Sequence, residues 1–89
     1  MSNISMPSSE ELQEAVVASL KAHNGKATNA EIFAWTIKNL GLSQTQLSVM
    51  RAGNRSEIEY RLAWARTRAS KKGLIYRVSP SNWSLGTNK

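Results

Sequence analysis

Residues 56–85, SEIEYRLAWARTRASKKGLIYRVSPSNWSL, decide the fold. Ser56 and Glu59 stand at capping-box spacing, a hydroxyl to cap the first free amides and a glutamate three residues on to reach back. Ile58, Leu62, Ala65 and Ala69 follow at intervals of four, three and four, so one apolar stripe runs down a helix from about 57 to 72. Gly73 closes it. LIYRV and WSL are β-prone runs around SPSN, where Pro80 and Asn82 favour a turn, and the two runs read as a hairpin.

Upstream, the same signals recur. SEELQEAVVASLKAH reads as a helix from Ser9, with Leu12, Val16 and Leu20 on one face beside Ala15, and Asn24–Gly25 ends it. KAT has room for a short extended segment. Thr28 and Glu31 form a second capping box, opening a helix whose stripe is Ile32, Phe33, Thr36, Ile37 and Leu40 and whose stop is Gly41. Ser43 and Gln46 repeat the device, with Leu42 stapled to Leu47, for a short helix to about Met50. RAGNR is a turn hinged at Gly53 and Asn54. The expected organisation is a disordered tail over 1–8, one domain over 9–86 and a tail over 87–89. Helix, short strand, helix, small helix, long helix, hairpin is an α+β order, that of a winged helix-turn-helix with a C-terminal wing.

Eighty-nine residues suit one small domain with a single core. No apolar run approaches the roughly 18 residues that span a bilayer, and the N-terminus has no secretory pattern. With no cysteine there are no disulfides or thiolate metal sites, and the cytoplasm is the default location. Charge is partitioned along the chain. The net value is +6; residues 1–59 carry five cations and six acids, sum −1, while residues 60–89 carry seven cations and no acid, sum +7. A field of one sign suits a polyanion, and it also suits a merely solvated face.

On a helical wheel the side opposite the stripe carries Ser56, Tyr60, Ala63, Thr67 and Lys71, with Trp64 and Arg68 at one margin and Arg66 at the other. Small and hydroxylic groups at the centre can approach base edges in a groove, while marginal cations reach phosphates. The expected base-reading set is Ser56, Glu59, Tyr60, Ala63 and Thr67. The expected phosphate and wing contacts are Lys26, Arg55, Arg66, Arg68, Lys71, Lys72, Arg77, Ser79, Ser81 and Asn82. Arg61 lies nearer the core face, where it either snorkels outward or pairs with a glutamate. Trp64 is expected as a wall of the core and Trp83, alternating with Leu85, as packed beneath the wing. Trp35 falls away from its helix's stripe and is expected partly exposed, either docking a partner or covering a seam.

At RLAWARTRASKKGLI the chain resembles the N-terminal domain of Mrr-type, modification-dependent restriction endonucleases. That pattern is Arg, an apolar and a small residue, Trp-Ala-Arg, a Lys-rich helix end and Gly-Leu-Leu or Gly-Leu-Ile. It is met by Arg61, Leu62, Ala63, Trp64, Ala65, Arg66, Lys71, Gly73, Leu74 and Ile75. NAEIFAWTIKNLGLSQTQL, GNRSEIEYR and SNWSL are similar to further segments of the family, so the resemblance runs from about Pro7 to Leu85. It implies a winged-helix DNA-binding module that brings a nuclease to its sites, often sites with methylated bases. The wing tip SPSN departs from the family's basic-glycine tip, and Arg68 stands where an aromatic or apolar residue is common. The chain has no aspartate and no Asp…Glu-x-Lys cluster, so a nuclease domain is not expected within it, and the sequence is either an excised or a free-standing domain.

Catalysis is not expected. His23 has no cysteine, aspartate or second histidine to work with, the five glycines are scattered terminators, and neither cofactor nor metal is implied. The leading reading is a duplex DNA-binding module, with modified-base sensing and service to a nuclease partner as its finer forms, or a small transcriptional regulator. The rival is a protein-interaction winged helix docking through Trp35 and the first two helices. Membrane-surface binding ranks third, because the basic helix has a mostly alanine apolar face that the core needs.

Overall fold

The computed structural model describes residues 6–51 and 56–86. In chain order it contains α1 (Ser9–Ala22), β1 (Lys26–Thr28), α2 (Asn29–Leu40), α3 (Gln44–Leu47), α4 (Glu57–Lys71), β2 (Ile75–Ser79) and β3 (Asn82–Leu85). The strands form one antiparallel sheet in the order β1-β3-β2. This is the α+β architecture of a winged helix: α2, α3 and α4 make the helix-turn-helix, and the β2–β3 hairpin is the wing.

Caps set the helix starts. Ser8, Thr28 and Ser43 each accept the amide of the residue three on, and Glu11, Glu31 and Gln46 return the bond to complete three capping boxes. A cap of this kind adds about 1 kcal/mol. The fourth box is half built: Ser56 Oγ accepts from the Glu59 amide at 3.1 Å, but the Glu59 side chain does not reach back. Gly41 ends α2 in the left-handed conformation at φ 63°, which a side chain would resist. The small helix is shorter than its sequence suggests, stopping at Leu47 instead of about Met50. The expected Gly53–Asn54 hinge and Arg55 lie outside the described residues.

The core lies where α1, α2, α4 and the sheet meet. Leu12, Val16 and Leu20 of α1, Ile32 of α2 and the whole expected α4 stripe (Ile58, Leu62, Ala65, Ala69) are buried, with Ile75 and Trp83 from the hairpin. Two of the four stripe residues are alanines, so α1 packs closely on α4. The α2 stripe is less complete: Ile32 and Thr36 are buried, Phe33 and Ile37 half-buried, and Leu40 emerges at the helix end. Leu40 there borders a shallow recess with Met6, Pro7 and Leu42. Pro7 is buried and Ser8 caps α1, so packing begins before Ser9.

In the sheet, Ala27, Trp83 and Arg77 form one cross-strand row and Lys26, Ser84 and Tyr76 the next. The pairing skips Val78, an irregularity that lets Ser79 meet Asn82 around a Pro80–Ser81 turn. At the base of the wing Gly86 donates its amide to the Leu74 carbonyl at 2.7 Å, and a Cβ there would collide with the Gly73 carbonyl.

Candidate nucleic-acid interface

The outward face of α4 is set by the same periodicity that buries its stripe. Tyr60, Ala63, Trp64 and Thr67 line a shallow depression of about 180 Å³ there. Thr67 Oγ1 donates to the Ala63 carbonyl at 3.2 Å, which leaves its oxygen free to accept. The Arg51 guanidinium covers the Tyr60 ring at 3.7 Å from the centroid. The depression therefore gathers Tyr60, Ala63 and Thr67 of the expected base-reading set. Ser56 is instead engaged as the α4 cap, and Glu59 lines a separate recess on the wing side with Asn29, Phe33 and Arg66.

On that wing side, three elements converge on one tryptophan. Trp83 is 5% exposed, as expected beneath the wing, and its indole N–H donates to Asn29 Oδ1 at 2.7 Å. The guanidinium of Arg66 from α4 lies 6.0 Å from the Trp83 ring, and that of Arg77 from the wing 5.3 Å. The Asn29 amide donates to the Ser81 carbonyl at 2.9 Å, fastening the wing tip to the start of α2. Within the tip, Asn82 Nδ2 donates to Ser79 Oγ at 2.7 Å. Lys71 and Lys72 are exposed where α4 ends and the chain turns into the wing. Lys26 is not brought into this group. It belongs to the neighbouring cross-strand row, and alternate rows face opposite sides of a sheet.

The other side of α4 differs. Glu57 accepts from Arg61 Nε at 2.7 Å and from Arg51 Nη1 at 3.0 Å. These bonds, that from Arg61 first, hold its carboxyl below the ordinary carboxylate range. Arg61 thus takes the glutamate-paired alternative. Trp64 is not a wall of the core: at 48% exposure it stands out from the helix, with the Arg68 guanidinium 5.8 Å from its ring. Its wheel position, beside the outward face and well off the stripe, is the reason. Among the described residues, Arg68, Lys71, Lys72 and Arg77 make no ion pair.

Sequence reasoning missed Asn29 and Arg51. Nothing local marks either; Asn29 acts across 54 residues and Arg51 from a loop. Trp35 is half-buried, so its exposure is partial. Among the described residues no helix is long and apolar enough to cross a membrane.

The fold is that of a small winged-helix domain whose long helix and wing each bring an arginine to Trp83. The family model of the Mrr N-terminal domain matches residues 10–88, and the chain belongs to that family. This associates it with Mrr-type restriction systems, as their N-terminal domain and not their nuclease domain. No curated protein and no solved structure matches the chain.

Proposed function

We propose that the chain binds duplex DNA as the recognition module of a restriction system in the cytoplasm. The outward face of α4 enters the major groove, where Tyr60, Ala63 and Thr67 meet base edges. Arg66, Arg68, Lys71, Lys72 and Arg77 meet phosphates, and the wing lies along the backbone with Ser79, Ser81 and Asn82 at its tip. One observation carries this reading. The guanidiniums of Arg66 and Arg77, from helix and wing, lie 6.0 and 5.3 Å from the same buried Trp83 ring, which supports reading the two elements as one cationic strip. A strip that spans two elements matches two phosphate paths, as scattered solvating charges would not. Methylated duplexes are the first ligands to examine, because the family serves modification-dependent enzymes.

The test is an electrophoretic shift with methylated and unmethylated duplexes at two salt concentrations. Log affinity should fall with log salt at a slope of roughly −0.9 per neutralised phosphate. Joint replacement of Arg66, Arg68, Lys71 and Arg77 by alanine should abolish binding to every sequence, whereas Thr67→Ala should alter sequence preference. Equal binding by the quadruple variant and the parent ends the idea.

A further inference from the structure

Beside the outward face of α4, away from the wing, lies a cleft of about 440 Å³ that shares Tyr60 and Arg68 with the proposed groove contacts. Its walls include Pro7, Arg51, Glu57, Trp64 and Arg68, and Arg61 also borders it. Tyr60 and Trp64 line both this cleft and the shallow depression on the groove face, so they form the ridge between the two. Three arginines face one glutamate here, a local excess of two positive charges (3 − 1 = 2). That glutamate is already shared between Arg51 and Arg61. Arg68 makes no ion pair among the described residues and stands by an indole that is half exposed.

We propose that this cleft receives one unpaired nucleotide, its base stacked on Trp64 and its phosphate held by Arg68 with Arg51 and Arg61 behind. The chemistry is specific to that ligand class. An exposed indole offers a flat π surface that any base can cover, and the adjacent guanidiniums supply the charge a phosphate needs. The volume lies in the range of pockets that enclose small ligands, roughly 300–1,000 Å³. For a nucleotide in a strand the inference rests on the DNA-binding reading, since the helix that holds the duplex also carries the ridge over which the base would pass. For a free nucleotide it stands without it.

The experiment uses the whole chain and a duplex with one 2-aminopurine, either paired with thymine or unpaired opposite an abasic site. The unpaired probe should bind more tightly, roughly five- to a hundredfold, and its emission should be quenched on binding. Trp64→Ala should erase both the preference and the quenching, so that the two duplexes bind alike; Trp64→Phe should restore part of each. Free dAMP in excess should relieve the quenching if the cleft also takes a mononucleotide. Equal binding of both duplexes, indifferent to Trp64→Ala, overturns the cleft proposal and leaves the groove reading standing. Loss of all duplex binding, with dAMP still quenching indole emission in a Trp64-dependent way, sinks the groove reading and keeps the cleft. No response to either duplex or to dAMP overturns both.

Discussion

The two sides of α4 are built from the same parts and put to opposite uses. Each has a tryptophan flanked by arginines. Toward the wing, Trp83 is buried and hydrogen-bonded to Asn29, with the guanidiniums of Arg66 and Arg77 6.0 and 5.3 Å from its ring. Toward α1, Trp64 projects into solvent, and Glu57 binds two of the arginines around it. Burial of the ring decides the difference. A buried indole is a surface that cations from two elements approach; an exposed one leaves a face for a ligand.

The sharpest way to break this comparison is to delete both rings. Trp83→Ala should cost about 3–5 kcal/mol of stability, as truncation of a buried large aromatic does. Trp64→Ala, at a half-exposed site, should cost about 1 kcal/mol or less. Urea denaturation of the two variants measures both, and equal losses would mean that the two sides are not distinct. Next in size, Asn29→Ala leaves the Trp83 indole N–H buried without its acceptor, for an expected loss of about 1–3 kcal/mol. The bond that ties the tip to α2 uses the Asn29 main-chain amide and survives the substitution.

A third prediction concerns binding. Lys71→Ala and Arg77→Ala should each lower the salt slope of duplex affinity by about 0.9, one phosphate apiece. Arg61→Ala should leave that slope nearly unchanged, because its charge already faces Glu57 at 2.7 Å. Equal effects at Arg61 and Arg77 would erase the distinction between a cation offered outward and one held internally. Trp35→Ala should leave duplex binding intact, since that side chain lies half-buried on α2.

What the sequence made legible follows from the range of the forces involved. The starts of α2, α3 and α4, the α4 stripe and the hairpin are written in local terms, as a hydroxyl three residues before an acid or amide, apolar spacing of three and four, and a proline at a turn. Each therefore reads correctly from a few adjacent residues. The charge partition also reads directly, because chain position and element coincide in the last third. Long-range pairing does not. That β1 would join the wing as a third strand depends on Ala27 meeting Trp83, and the anchoring of that ring depends on Asn29. Arg51 has no local sign of its role, since its partners Glu57 and Tyr60 lie on α4, beyond the range of local periodicity. Trp64 is the instructive miss. The wheel placed it off the stripe, yet size and apolarity suggested the core; its place beside the outward face leaves it 48% exposed.

The smallest expected effect is the most diagnostic of how the α1-side cluster is held. Glu57 has a folded-state pKa below its ordinary 4.5, lowered first by the hydrogen bond from Arg61 and then by that from Arg51. A lowered carboxylate pKa means that the folded protein holds the charged form more firmly than the unfolded chain does. The stabilisation is therefore fully present above pH 4.5 and disappears as pH falls through the lowered value. Urea midpoints measured from neutral pH downward should fall more steeply for the parent than for Glu57→Gln, with the two curves converging in acid. Arg61→Ala should flatten the acid limb more than Arg51→Ala, because its bond is the shorter and the larger cause. If Glu57→Gln instead left the acid limb unchanged, the carboxylate would not be holding these two arginines in solution. Trp64 would then face three mobile cations instead of one, and the contrast between the two sides of the helix would rest on ring burial alone.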